Sequence, residues 1–263
     1  MLKFNLYPNF KKKAVTFSYD DGRTFDIRLA EIFDKYGAKC TFNLCSGAPW
    51  KNPIYYMQDS DILKISKNHE IALHTVDHDY PDSLPNDKVL TQLYENRLNL
   101  EKIIGKPVVG MAYPYGVYTD SVIEIMKSLG IKYSRVTEIA KNFRPEYDFY
   151  RWKASCHHNQ AMPKVEAFIK GNYSNLELLY IWGHSYEFDT NNNWELIEEI
   201  LQKLSTDNNI WYATNIEVYD YLNAVKNLRV ALDEKSIYNP SAVSVFATYN
   251  DTQIELKPGL TIL

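Results

Sequence analysis

Ala14-Val15-Thr16-Phe17-Ser18-Tyr19-Asp20-Asp21-Gly22 is the stretch from which the rest of the chain can be read. A β-favouring run, Ala14–Tyr19, ends in two adjacent carboxylates and a glycine. Directly after it, Phe25, Leu29, Ile32, Phe33 and Tyr36 fall at helical spacing, and Gly37 is placed to stop the helix. Strand, carboxylates at the strand end, then helix is one βα unit.

The unit repeats. Further candidate strands are Lys39–Leu44, Glu70–His74, Val108–Tyr113, Lys132–Val136, Arg151–Cys156, Leu178–Trp182 and Trp211–Asn215. Several are nearly continuous apolar runs, as parallel strands covered on both faces require. Between them lie a long helix capped by Asn86 and ended by Gly105 and Pro107, then Ser121–Leu129 begun by Asp120, Trp194–Leu204 begun by Asn193, and Ile216–Lys226. Repeated strand–helix units predict an α/β fold, a distorted (β/α) barrel of seven or eight parallel strands. Past residue 229 the pattern changes to alternating β segments, Ala242–Thr248 and Thr252–Leu256, joined at Tyr249-Asn250-Asp251. The expected division is therefore a barrel over 1–228 and a small C-terminal β-hairpin appendage over 229–263.

The 263 residues carry a formal net charge of -4, which gives no reason to expect nucleic acid or an anionic membrane as partner. Lys11-Lys12-Lys13 is the one basic cluster and reads as a solvated approach to the first strand. Cys40, Cys45 and Cys156 have no metal-type spacing. The opening residues, Met1-Leu2-Lys3-Phe4-Asn5, lack a signal-peptide core, so the expected location is cytoplasmic unless a leader was removed before this numbering. Of the 21 tyrosines, a sugar enzyme would use some as stacking platforms, and core and surface packing explains most of them equally well.

The chemistry collects at strand ends, where an α/β barrel places its active site. Asp20 and Asp21 repel one another unless a cation lies beside them; a metal resolves that for one and leaves the other free as a base. His74-Thr75-Val76-Asp77-His78 follows the run Ile71-Ala72-Leu73. Its two imidazoles, four apart, share a face if a helical turn starts there. Two imidazoles and one carboxylate make three ligands, the number that leaves a catalytic zinc its open position. Tyr113-Pro114-Tyr115-Gly116 and Trp182-Gly183-His184 close two further strands, and His184 is a candidate general acid. His157-His158 has no carboxylate nearby in sequence and reads as structural or substrate-contacting. His69, at the opposite end of its strand, reads as structural.

In this order the residues resemble the polysaccharide deacetylases of carbohydrate esterase family four. The family's Thr-Phe-Asp-Asp-Gly looks like Phe17-Ser18-Tyr19-Asp20-Asp21-Gly22, and its His-(Ser/Thr)-x-x-His is matched by His74–His78. Its Arg-x-Pro-Tyr is matched in part by Ala112-Tyr113-Pro114-Tyr115, and its strand ending in histidine by Leu179–His184. The resemblance implies Asp20 as catalytic base, Asp21, His74 and His78 as ligands of a divalent metal, and His184 as acid. It implies zinc, with cobalt or nickel as alternatives, and an acetylated carbohydrate as substrate. Tyr115 would offer its N–H to an oxyanion, with Tyr113 and Trp152 as further substrate contacts. The family's arginine, which tethers the base, is Ala112 here; Arg151 is the expected replacement, with Trp152 packing beside His184. Removal of an acetyl group from a sugar is the function expected. The alternatives are a related amidohydrolase on a small non-sugar amide, and a carbohydrate-binding protein with a vestigial site.

Overall fold

The computed structural model describes residues 1–263, the side chain of Pro49 aside. β1 (Leu2–Leu6) leads into β2 (Lys13–Asp20), whose residues are all buried. Strands and helices then alternate: α1 (Phe25–Lys35), β3 (Thr41–Leu44), α2 (Asp59–Ile65), β4 (Glu70–Leu73), α3 (Asn86–Ile104), β5 (Gly110–Ala112), α4 (Asp120–Ser128) and β6 (Tyr133–Ile139). Next come β7 (Trp152–Ala154), β8 (Cys156–His157), α5 (Ala161–Lys170), β9 (Glu177–Gly183), α6 (Tyr186–Thr190), α7 (Glu195–Leu204), β10 (Ile210–Tyr212) and α8 (Asn215–Lys226).

The sheet is parallel throughout, in the order β7-β6-β5-β4-β3-β2-β9-β8. β7 and β8 are one strand interrupted at Ser155, whose N–H donates to the Tyr180 carbonyl at 2.7 Å. Its hydroxyl accepts from the Tyr180 N–H at 3.0 Å. The two ends of the sheet thereby meet, and the strands curl into a nearly closed (β/α) barrel. The irregular strand is β10, which pairs only with Lys13–Val15 of β2. Helices cover the outside with apolar residues three and four apart, as in α7, where Ile197, Ile200, Leu201 and Leu204 are buried.

Helix ends differ from expectation by a residue or so. α3 starts after Pro85, with Asn86 inside it; Thr119, not Asp120, caps α4; and Trp194, not Asn193, precedes α7. Several elements escape the sequence pattern, α6 and the strands Arg229–Val230, Ser236–Asn239 and Gly259–Ile262 among them. α2 is short, α5 carries Pro163 in its first turn, and β1 lies outside the barrel. No helix among the described residues is long and apolar enough to cross a membrane.

The last segment builds β11 (Arg229–Val230), β12 (Ser236–Asn239), β13 (Val245–Tyr249), β14 (Thr252–Leu256) and β15 (Gly259–Ile262) in two small antiparallel sheets. The hairpin turn falls at Asn250 and Asp251, both at positive φ, the conformation a two-residue turn demands. The division expected at residue 228 needs one correction: β1 is the edge partner of β13, so residues 2–6 sit in the appendage sheet. Tyr221 of α8 fastens this layer, donating to the Leu6 carbonyl and accepting from the Phe246 N–H. Tyr7, Val218, Tyr221, Val245, Ala247 and Leu256 share one core there.

The N-terminal end of the barrel is stabilised by a polar knot around Glu70. Its carboxyl accepts from Tyr133 Oη at 2.7 Å, Thr41 Oγ1 at 2.8 Å and the Ile216 N–H at 2.9 Å. Burial nonetheless raises its pKa from 4.5 to about 7. Between those values the carboxyl is protonated when folded and ionised when unfolded, so stability is full below the window and falls as pH rises through it. Glu70→Gln removes that titration. Its stability relative to the parent should rise on the order of 3 kcal/mol between mildly acidic and mildly alkaline pH, read by urea unfolding. Parallel pH profiles for the two proteins would refute it.

Candidate active site and metal centre

β2 delivers both carboxylates to the C-terminal rim of the barrel. Asp20 is its last residue and stays buried. Asp21 and Gly22 follow at φ 82° and 71°, a left-handed step that swings the Asp21 side chain away from its neighbour. Gly22 has no alternative: a Cβ there would meet Leu44 Cδ2 at 3.1 Å in a backbone conformation that other residues resist.

Asp21 meets the two histidines. Its Oδ1 lies 3.6 Å from His74 Nε2 and 3.5 Å from His78 Nε2, and the donor atoms of the three residues all fall within 4.8 Å of one another. The imidazoles do not converge through a helical turn. Residues 74–78 form a loop in which Thr75 and His78 both take positive φ, 65° and 58°. Two residues one turn apart on α3 hold that loop: Gln92 Oε1 accepts from the Val76 and Asp77 N–H groups, and Asn96 Oδ1 accepts from the His74 N–H. His74 Nδ1 lies 2.8 Å from the Ala112 carbonyl, which fixes the proton there and turns the Nε2 lone pair toward Asp21. Burial and the neighbouring His74 lower the pKa of His78, favouring the neutral ring that ligates. Zinc held at about 2.0–2.1 Å would set its ligand atoms about 3.3 Å apart, close to the separations seen. The donor set therefore fits a divalent cation.

Asp20 faces different partners. Asn43, opposite it on β3, donates from Nδ2 to Asp20 Oδ1 at 2.8 Å. The other oxygen, Oδ2, is bonded by Arg135 Nη2. Arg135 is fully buried on β6, in register with Ala112 of β5, and its guanidinium lies 4.3 Å from the Trp182 ring. Burial raises the Asp20 pKa, but the charge of Arg135, with His74 and His184, outweighs burial and holds the carboxyl below its ordinary value.

Arg151 therefore does not orient the base. It is partly exposed and pairs with Asp120 at 2.5 Å and Asp148 at 3.1 Å. The neighbouring strand supplies the missing guanidinium because parallel register sets Arg135 beside Ala112, whereas Arg151 precedes β7 and turns to Asp120 and Asp148. Trp152 is corrected too. It is fully buried against Tyr133, Phe149 and Tyr180, and the tryptophan beside His184 is Trp182, at 5.7 Å. Tyr113 is equally enclosed, donating its hydroxyl to the Tyr150 carbonyl at 3.0 Å, so neither side chain can touch a substrate.

Tyr115 is the exposed tyrosine of its turn, at φ 59°. Gly116 N–H and Val117 N–H are used within the turn, and the Tyr115 N–H is not. Its ring stacks on Tyr80 at 3.7 Å and meets His78 edge-on at 4.6 Å. Trp50 flanks His78 from another side.

His184 follows β9, with Nδ1 3.1 Å from Glu187 Oε1. Burial opposes its positive charge, but Glu187, Asp20 and Asp21 together raise its pKa above the ordinary histidine value. Glu187 is a residue that sequence reading missed. The fold brings it to His157 and His158 as well, each Nε2 lying 3.0 Å from Glu187 Oε2. Gly183 permits this, since a Cβ there would fall 2.0 Å from His158 Nδ1. Asp26, also missed, is buried in the first turn of α1; burial and the carboxylates of Asp21 and Asp20 raise its pKa well above normal.

Residues 7–134, which carry Asp20, Asp21, His74, His78 and Tyr115, match the polysaccharide deacetylase family model. Over that stretch, just under half of the chain, the barrel is similar to the polysaccharide deacetylases. A peptidoglycan-N-acetylglucosamine deacetylase from Bacillus cereus is 26% identical over 125 residues, 47% of this chain. The chain spans 55% of that relative's length. Among solved structures, one from Mycobacterium smegmatis assigned as a polysaccharide deacetylase superposes with TM-score 0.61 at 16% identity, over 84% of this chain and 93% of that one. A family 4 acetyl xylan esterase from Clostridium thermocellum, solved with a cobalt ion, gives TM-score 0.55 at 16% identity, over 78% and 90%. These two likenesses show the fold, a barrel shared over 84% and 78% of this chain.

Proposed function

We propose that this chain hydrolyses an acetyl group from a carbohydrate, using a divalent metal held by Asp21, His74 and His78. The observation that carries this reading is the meeting of three ligand side chains with a separately tethered carboxylate, Asp20, at one barrel rim. When bound, a cation such as zinc supplies Lewis acidity, polarising the acyl carbonyl and lowering the pKa of water.

The chain's own groups do the rest. Asp20, oriented by Asn43 and Arg135, is ionised and accepts the proton of the attacking water. The Tyr115 N–H faces the charge that develops on the carbonyl oxygen. His184, its pKa raised by Glu187, Asp20 and Asp21 against the effect of burial, returns a proton to the departing amine or alkoxide. Tyr115 and Tyr80, exposed and stacked, offer a flat apolar surface for a sugar ring. The curated relative and the xylan esterase name the two substrate chemistries to try first, an N-acetyl and an O-acetyl sugar. The arginine absent at Ala112 would favour a vestigial site, and the Arg135 bond to Asp20 supports the catalytic reading instead.

The test is acetate release by chelated protein resupplied with zinc, cobalt or nickel. Substrates are N-acetylglucosamine oligomers, acetylated xylan and a small cyclic amide. Acetate from at least one sugar is expected; hydrolysis of the amide alone would favour the non-sugar amidohydrolase, and silence with every metal a binding role. Asp20→Asn and His184→Ala should keep the metal and lose at least about a hundredfold in kcat. Loss of metal from Asp20→Asn would show that the two carboxylates hold each other's roles.

A further inference from the structure

We propose that His157, Glu187 and His184 form a second divalent-cation site beside the first, and that filling it inhibits the enzyme. The donor atoms of these three residues lie within 4.8 Å of one another, the same closeness as in Asp21-His74-His78. His157 Nε2 is 3.0 Å from Glu187 Oε2, and His184 Nδ1 is 3.1 Å from Glu187 Oε1. Both are close to the separation of about 3.3 Å that two ligand atoms keep around a tetrahedral zinc.

Hydrogen bonding alone accounts poorly for the cluster. Oε2 of Glu187 is buried and approached by two imidazole nitrogens, yet neither contact has hydrogen-bond alignment, and both ring nitrogens of His158 are left unpartnered. Buried polar atoms at contact distance but out of line are costly to leave so. A cation among them would satisfy the carboxylate and take a lone pair from His184 Nδ1 and His157 Nε2. The His157 proton would then move to Nδ1, in place of the long 3.3 Å bond that atom accepts from the Asn159 N–H. Access is open, because His157, His184 and Glu187 keep 20%, 22% and 24% of their side chains exposed, while fully buried His158 forms the back wall. Two imidazoles and a carboxylate are borderline donors, suited to zinc, cobalt or nickel.

The site itself stands on this geometry. Its inhibitory effect rests on the reading of His184 as the acid: a ring nitrogen that holds a cation cannot hold a proton, so a ligated His184 cannot be the doubly protonated donor. Excess metal would then silence the enzyme that the first equivalent activates.

The experiment is equilibrium dialysis of the full chain against stepped free zinc, with metal counted per chain and acetate release measured alongside. Wild-type protein should bind two ions, the second more weakly. Activity should rise with the first and fall at least about tenfold with the second, within the scale of a positioned acid. His157→Ala should bind one ion and keep its activity at high zinc; His157→Gln serves if alanine disturbs folding, and retention of the first ion reports an intact barrel. His74→Ala should keep only the weak ion. A single ion in the wild type at millimolar zinc, or a second ion unaffected by either His157 change, overturns the site. A second ion that leaves activity untouched overturns the inhibition. Two ions with no acetate from any sugar would instead refute the proposed function and leave the site standing.

Discussion

His74→Ala protein is expected to emerge from dialysis against low free zinc without tightly held metal, and to release no measurable acetate. On the proposed ligand set, three side chains would hold the metal, and the two remaining after the change would not retain zinc under such conditions. His74 is also the most constrained of the three: its N–H is held by Asn96, and its Nδ1 by the Ala112 carbonyl. Because its orientation is set by other parts of the barrel, no rearrangement of the loop can replace it. The Ala112 partner is a backbone atom, so the alanine variant strands only one weakly demanding acceptor and should stay folded. Metal analysis together with an unfolding curve separates the two effects. Full metal content in this variant would sink the ligand assignment.

The second large effect is expected from Arg135→Met. Removing one partner of a buried ion pair leaves an uncompensated charge, typically at a cost of roughly 3–5 kcal/mol. Asp20 is 3% exposed and Arg135 1%, so solvent cannot take over the role of the guanidinium. With Arg135 present the folded-state pKa of Asp20 is depressed, and the pair stabilises the fold above the ordinary carboxylate pKa, losing that as pH falls through the depressed value. Without it burial dominates, the pKa rises, and the acidic limb of the pH–rate profile should move to higher pH with a lower kcat. Metal content should not change. Arg151→Met is the control: its pairs are exposed, worth about 0–1 kcal/mol, and its pH profile should overlay the parent's. A shifted acidic limb in Arg151→Met, with none in Arg135→Met, would reverse the assignment.

These two residues mark where the sequence is legible and where it is not. Asp20, His74 and His184 lie at or just past strand ends, with Asp21 and His78 in the turns that follow, and in a parallel barrel every strand end points to one rim. Their common rim follows from topology, without knowledge of any side-chain contact. Arg135 breaks no such rule, because it lies inside a strand. Its partner is set by the register between β5 and β6, which no local pattern encodes. One signal was available: an arginine within Tyr133-Ser134-Arg135-Val136 must face either solvent or a buried anion, and a strand covered on both faces leaves only the anion. Glu187 is harder to read. Its partners His157 and His158 come from the neighbouring strand and the turn after it, so separation along the chain conceals the cluster. The loop at His74–His78 shows a third limit. The spacing of the two imidazoles was legible, but positive φ at Thr75 and His78, held by Gln92 and Asn96 across the fold, replaces the helical turn that spacing alone suggests.

The pairing of β1 with β13 bears on the order in which this molecule assembles. Each βα unit of the barrel can dock on its neighbour as soon as both have left the ribosome. Leu2–Leu6, made early, has no edge to join until Val245–Tyr249 has been synthesised. Closing so large a loop in an otherwise unfolded chain carries a high entropic toll, but a formed barrel has already brought the two segments near each other. A strand made well before its partner is thus among the last to be placed, and until then its free backbone edge is open to stray pairing. Slow steps in the maturation of this protein belong at that seam, on the far side of the molecule's chemistry.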